Sequence, residues 1–388
     1  MPVAGVVAEF DPFHLGHQYL IREVRRRLGP ETAVVAVLSG SFTQRGGAAI
    51  CSPIARAEMA LQGGADLVLE LPLPFATASA ETFARGGVES LLATGVVDTL
   101  CFGSETGDEP LLRRMARALE RAEFPQTLRD FAAQGLPFAA ARQKALEQVL
   151  EEKLPQGAND LLATEYLRFW PADKAALAVQ RRDGGHGGSQ SASRVRQLLL
   201  AGDWSGASEL LPPASLEILR REQQRGRCPG SLSWAERAVL YRLRTMTQAE
   251  FGAIADCTEG LEHRLVRAAS RAGSLEEFYA LSKSKRYAHA RIRRIALRAF
   301  LGITALPEKV PYLRVLGADQ RGLGLLREMK SRSTLPVVTK PAHGRNLEGE
   351  AGALFALGRR ADDLWGLCLE RPIPSGWSWS QGPVLLKD

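Results

Sequence analysis

The sequence predicts an α/β chain, with a doubly wound parallel sheet in its first half and a mainly α-helical carboxyl-terminal domain. Three observations carry this expectation. Short apolar runs alternate with helical stretches up to about residue 180; polar or glycine-bearing loops follow those runs; and beyond Gly202 helix follows helix. Residues 3–8 (VAGVVA) are apolar throughout but too short for a helix, so they read as a buried strand. The run ends in a polar, proline-bearing loop at 9–15. A helix is expected over 16–28, where Tyr19, Leu20 and Val24 recur at helical spacing. Residues 33–38, 66–71 and 97–102 are further strand candidates, and 80–93 reads as the helix between the last two. Strands separated by helices in this way imply parallel βαβ units with both sheet faces covered.

Residues 111–150 carry a charged helical pattern, 159–169 another helix, and 175–180 a fifth strand that runs into a glycine-rich loop at 183–188. A helix over 193–200 closes this half. The boundary falls near residue 205, giving domains over 1–205 and 206–388. The second domain shows helical patterns at 213–224, 234–244, 247–255, 260–272, 275–282 and 288–300. Its tail beyond Pro372, rich in Pro, Gly, Ser and Trp, is expected to be loop.

The chain has 388 residues, a formal charge of +7 and a pI near 9.3, a basic excess that suits a polyanionic partner without identifying one. Cys51, Cys101, Cys228, Cys257 and Cys368 are scattered, with no CxxC and no His/Cys cluster, which argues against structural zinc and for reduced thiols. The amino terminus has no basic n-region followed by a long apolar stretch, and no window is apolar enough to span a bilayer. A soluble, cytoplasmic protein with no membrane association is expected.

The chemistry concentrates in Glu9-Phe10-Asp11-Pro12-Phe13-His14-Leu15-Gly16-His17, between a strand and a helix. A helix amino terminus offers free N–H groups and partial positive charge to an anion. Gly16 lets the backbone approach closely. His14 and His17 straddle the helix start, where both imidazoles can point at one phosphate and stabilise charge developing there. Ser191-Ala192-Ser193-Arg194-Val195-Arg196 opens a later helix. Its serines can cap that helix or bind an anion, and Arg196 can reach terminal phosphates.

FDPFHLGH resembles the signature of the HIGH-type nucleotidylyltransferases, whose fold is Rossmann-like, and SASRVR resembles their second signature. Further strings narrow the resemblance: residues 38–46 (LSGSFTQRG), 69–72 (LELP), 102–105 (FGSE), 260–264 (GLEHR), 285–287 (KRY) and 311–317 (PYLRVLG). Together they resemble the tRNA(Met) cytidine acetate ligase family over nearly the whole chain. The resemblance implies that ATP and acetate form acetyl-adenylate, and that the acetyl group passes to N4 of the wobble cytidine of elongator tRNA(Met). Mg²⁺ is expected to bridge the phosphates, held by their oxygens and water and by no dedicated protein ligand. The rival reading is a mononucleotide adenylyltransferase of cofactor biosynthesis. It is favoured by Asp11, where the family usually has Asn, but it leaves the basic helical half without a task.

Carried over by position, the resemblance implies an ATP site made of Val7, Ala8, Glu9, Phe10, Asp11, Pro12, Phe13, His14, Leu15, Gly16, His17, Gln18, Tyr19 and Leu20. Gly103, Asn159, Ser191, Ser193 and Arg196 join it, with either Arg181 or Arg182, of which Arg181 is favoured. His14 and His17 are the catalytic candidates. Gly103 could equally be a turn glycine, Asn159 a helix cap, and Gln44-Arg45-Gly46 a solvated loop, with Arg45 a candidate for touching phosphate or RNA. His186 reads as a residue of the glycine-rich loop. Lys283, Lys285, Arg286, Arg291, Arg293, Arg294 and Arg298, with Tyr287 interleaved, form a basic run that is either a solvated face or a phosphate track for tRNA.

Overall fold

The computed structural model describes residues 1–182, 191–284 and 287–386. The strands are β1 (Val3–Ala8), β2 (Ala33–Ser39), β3 (Leu67–Leu71), β4 (Thr99–Ser104), β5 (Ala175–Gln180), β6 (Leu313–Ala318), β7 (Val337–Val338) and β8 (Val384–Leu385). They form one sheet in the order β5-β4-β1-β2-β3-β6-β7, with β8 also paired to β6. β1 to β5 are parallel in doubly wound order, so the expected α/β architecture holds. Alternation along the strands splits the core. Val3 and Val7 pack with Val35 and Val37 on one face, while Ala4 and Val6 pack with Val34, Ala36 and Leu38 on the other. Both faces are covered by helices, so the central strands read as continuous apolar runs.

Local signals fix the helix starts. Ser52, Ser79 and Ser191 are N-caps whose hydroxyls accept from Ala55, Thr82 and Arg194 N–H, and Pro53 stands in the first turn after Ser52. The pattern at 111–150 resolves into three helices, Glu109–Leu119, Phe124–Ala133 and Phe138–Leu150. The chain breaks at the Glu120 cap and again around Gly135 and Pro137. Beyond residue 205 the helix Pro213–Gln224 packs Ile218 and Leu219 into the core on one sheet face, and the helices from Glu236–Thr245 to His289–Leu301 build a second core around Leu265, Phe278, Ile292, Ile295 and Trp365.

The chain then returns to the sheet, which periodicity did not anticipate. β6 is fully buried and antiparallel to β3, and it is followed by the helices Gln320–Arg332 and Gly349–Trp365. The tail is mostly irregular as expected, but Val384 and Leu385 near its end pair with Gly317 and Ala318.

Candidate active site

A cleft of about 380 Å³ opens at the carboxyl ends of β1, β4 and β5, on both sides of the switch point between β1 and β4. At its centre is the start of the helix Leu15–Leu28. His14 is the N-cap, and its Nδ1 accepts from Gly16 N–H at 3.0 Å. His17, one turn on, accepts from the His14 N–H through its own Nδ1 at 3.2 Å. The two imidazoles thus form a reciprocal capping box, with ring centroids 3.7 Å apart. Because each Nδ1 is an acceptor, each ring carries its proton on Nε2. Neither Nε2–H has a partner among the described residues, and both side chains line the cleft. The sequence therefore yields two neutral N–H donors of fixed tautomer at a helix mouth.

Electrostatics keep them neutral. Burial pushes His14 down to about 3, helped by Arg181 and Arg196; burial, then His14 and Arg181, push the half-buried His17 well below its usual value as well. In the unfolded chain His14 protonates below about 6.5, whereas in the native state it stays neutral down to about 3. Its contribution is therefore complete above 6.5 and lost as the pH falls toward 3, at up to about 1.4 kcal/mol per pH unit. We expect the thermal midpoint to drop between pH 6.5 and 5, and His14→Asn, which keeps a capping oxygen but cannot titrate, to flatten that slope. An unchanged slope in scanning calorimetry would contradict it.

The rest of the loop is built around these rings. Phe13 is fully buried against the helix Pro53–Gln62, and a Cβ on Gly63 would stand 2.2 Å from its ring. Pro12, Phe13 and Gln18 do not line the cleft, whereas Val7, Ala8, Glu9, Phe10, Asp11, Leu15, Gly16, Tyr19 and Leu20 do. Phe10 packs edge-on against His17 at 4.7 Å. The Asp11 carboxylate is committed to the loop: Oδ1 accepts from Ile50 N–H at 2.7 Å, and Oδ2 stands 3.5 Å from Arg196 Nη1. That structural task accounts for an acid at this position without reference to a cofactor-forming reaction.

Arg196 spans the cleft floor, donating to Asp11 O at 2.6 Å and to Ser193 Oγ at 3.1 Å, while Ser191 caps its helix. Arg181 and Arg182 are told apart by their surroundings. Arg181 Nε is buried without a partner among the described residues, and its side chain lies against Gly103; Arg182 stacks on Tyr19 at 4.1 Å. Asn159 does not cap its helix, whose N-cap is Gly157; its Nδ2 donates to Glu105 Oε1 at 2.7 Å.

That contact belongs to a lock on which the sequence was silent. The Glu105 carboxylate accepts from Asn159 and Asp160 N–H, and the buried Asp160 carboxylate accepts from Ser104 Oγ and from the N–H groups of Glu105 and Thr106. The lock holds Gly103 and Asn159 side by side on the cleft wall. Other lining residues were also missed, among them Arg22, Phe83, Phe102, Leu162, Tyr166 and Gln180. Tyr166 and Leu162 sit at helical spacing on the pattern already read at 159–169, which was the available signal.

Two further groups bear on charge. Burial, then Asp11, raise the Glu9 carboxyl, which accepts from Gln44 N–H at 2.7 Å. Gln44 and Arg45 line the rim of the cleft. Among the described residues no group of three or more His, Cys, Asp or Glu could hold a metal ion. The basic run is not one exposed track: Arg298 is buried and pairs with Asp256 at 2.8 Å, Arg291 donates to Asp256 O and Thr258, and Arg293 pairs with Glu276 at 3.0 Å. Lys285, Arg286 and the glycine-rich loop with His186 lie outside the described residues. All five cysteines are free and buried, and among the described residues no helix is long and apolar enough to cross a membrane.

A doubly wound sheet with paired histidines at the first helix mouth defines the HIGH-type nucleotidyl transferases, and the family model described as HIGH Nucleotidyl Transferase matches residues 1–375. Similar proteins include the tRNA(Met) cytidine acetate ligase of Syntrophomonas wolfei, 35% identical with 99% of each chain covered. That of Fervidobacterium nodosum is 36% identical, covering 92% of this chain and 88% of the relative. Thermotoga maritima TmcAL in its apo form superposes with a TM-score of 0.92 at 31% identity, and bound with alpha-thio ATP with 0.91 at 32%, each over 100% of both chains. The chain belongs to the tRNA(Met) cytidine acetate ligase family.

Proposed function

We propose that the protein binds ATP in this cleft, activates acetate as acetyl-adenylate, and transfers the acetyl group to N4 of the wobble cytidine of elongator tRNA(Met). The observation that carries the reading is the pair of Nε2–H donors locked by the capping box, in a cleft that Arg181 and Arg196 also line. In the first step an acetate oxygen attacks the α-phosphorus, the bond to the bridging oxygen breaks, and pyrophosphate leaves. Positioning and charge neutralisation dominate such a step. His14 and His17 meet the α-phosphate oxygens, and Arg181 with Arg196 the departing pyrophosphate. Mg²⁺ would neutralise charge on the phosphates; the loop carboxylates that could help to hold it, Glu9 and Asp11, already accept from Gln44 and Ile50 N–H. Phe83, Phe102, Leu162 and Tyr166 offer the apolar wall that a methyl group needs.

In the second step the cytidine amine attacks the acetyl carbon of the mixed anhydride, AMP departs with the C–O bonding pair, and the nitrogen loses a proton. A base in a single-stranded anticodon loop unstacks cheaply enough to reach the cleft. On this reading residues 1–205 bind ATP and residues 206–388 receive the tRNA, in the cytoplasm. Acetate-dependent exchange of pyrophosphate into ATP, with nicotinate mononucleotide as the competing acceptor, tests the first step; a mass gain of one acetyl group on tRNA(Met) tests the second. Exchange with the mononucleotide alone would overturn the proposal. Within the site, Arg181→Ala is expected to raise the KM for ATP by about tenfold or more, and Arg182→Ala by less than about threefold, since only the former meets phosphate. The reverse order in steady-state kinetics would exchange their roles.

A further inference from the structure

Three sequence strings without a task in ATP binding, 38–46, 69–72 and 311–317, meet in one buried network. Arg314 on β6 donates from Nη1 to Glu70 Oε2 on β3 at 2.5 Å and lies 3.7 Å from Asp362 Oδ2. Arg359 approaches the same Asp362 oxygen at 3.6 Å. The other, Asp362 Oδ1, accepts from Ser41 Oγ at 2.6 Å. Ser41, Arg314, Arg359 and Asp362 are all buried. Burying two guanidinium groups with two carboxylates is costly, and apolar replacements of similar volume often match or exceed the stability of such clusters. Its contribution is therefore to be sought in what it holds.

It holds the segment 40–47. A Cβ on Gly40 would fall 2.5 Å from Glu70 Oε1, so glycine is required for the carboxylate to sit over the end of β2. Arg56, fully buried, donates to the carbonyls of Glu9, Gly40 and Cys51 and ties this segment to the loop that bears the histidines. At the far end Gly46, at φ +76°, abuts the backbone of Arg293 and Arg294 in the helix His289–Leu301. Between these anchors lie Arg45 on the cleft rim and Gln44, whose N–H fixes the Glu9 carboxylate.

We infer that Ser41 and Arg314 are positioning residues for the ATP cleft: through Glu70 and Asp362 they fix the segment 40–47, and its Gln44 amide then holds the Glu9 carboxylate in place beside the nucleotide. The inference rests on the proposed ATP site. It makes β6 and the helix Gly349–Trp365 part of the catalytic apparatus, although neither lines the cleft.

Ser41→Ala removes one hydroxyl and no charge, so the ion pairs and the fold remain; Arg314→Lys keeps the charge but withdraws the Nη1 that meets both carboxylates. In both, kcat/KM for ATP in acetate-dependent pyrophosphate exchange is expected to fall about tenfold. The Gln44 amide, followed by hydrogen exchange, is expected to exchange about tenfold faster in Ser41→Ala, with amides of β1 and β2 as protected as before. Unchanged turnover in Ser41→Ala overturns the inference, and so does slower turnover with an equally protected Gln44 amide. If the unmodified protein shows no acetate-dependent exchange, the functional reading falls, and ATP affinity by calorimetry carries the same comparison.

Discussion

Replacing His17 with alanine is expected to lower kcat for acetate-dependent pyrophosphate exchange by about 10²- to 10³-fold, equivalent to roughly 3–4 kcal/mol of transition-state stabilisation. The imidazole does two things, and only one of them is chemical. Its Nδ1 accepts the His14 N–H at 3.2 Å, a cap whose loss costs about 1 kcal/mol of stability. Its Nε2–H has no partner among the described residues, and the ring lines the cleft. The variant should thus fold, with a small change in the urea midpoint, while turnover collapses. His17→Asn sharpens the comparison, because an amide oxygen can restore the cap without returning the donor to the same place. A loss of turnover in proportion to a loss of folded protein would show that His17 is only a cap.

The second large effect concerns stability. Asp160 is fully buried, and its carboxylate satisfies the Ser104 hydroxyl and two consecutive backbone N–H groups. Asp160→Ala takes that acceptor from the half-buried Glu105 and Thr106 N–H groups and leaves the Ser104 hydroxyl only Thr106 Oγ1, with an expected loss of about 2–4 kcal/mol. The damage should spread to the cleft, since the 104–106 turn holds Gly103 and Glu105 holds Asn159. Asp160→Asn retains an acceptor for the hydroxyl and should lose about 1–2 kcal/mol. An Asp160→Ala urea midpoint within the error of the unsubstituted protein would remove the lock from the account.

Much of this architecture was legible in the sequence, and the exceptions have physical causes. β1 and β2 are apolar runs, and β3 is broken only by Glu70 near its end, because helices cover both faces of the sheet; that pattern survives without any knowledge of partners. β5 was legible too, although as an edge strand it is partly exposed. β6 was hidden because Arg314 interrupts its apolar run, and the residues that neutralise it, Glu70 and Asp362, lie far away in sequence. Its place depends on that long-range pairing and on no local period.

The site divides in the same way. The histidine loop announces itself, since strand, loop and helix start are contiguous, and so does the SASRVR helix start. That Asn159 donates to Glu105, and that Arg181 rather than Arg182 faces Gly103, are tertiary facts. For the basic run around residue 291 the sequence left open which residues face outward, because charge in a sequence does not say where it points. Arg298 turns inward to Asp256, and only the folded chain brings that acid beneath it.

The central claim is that two neutral imidazoles present Nε2–H groups to the innermost phosphate of ATP. A crystal structure of the protein with a non-hydrolysable ATP analogue tests it directly. The claim requires α-phosphate oxygens within about 3.2 Å of both His14 Nε2 and His17 Nε2, with each Nδ1 still accepting from the helix start. An α-phosphate bound elsewhere, or rings turned so that Nδ1 faces the nucleotide, would contradict it.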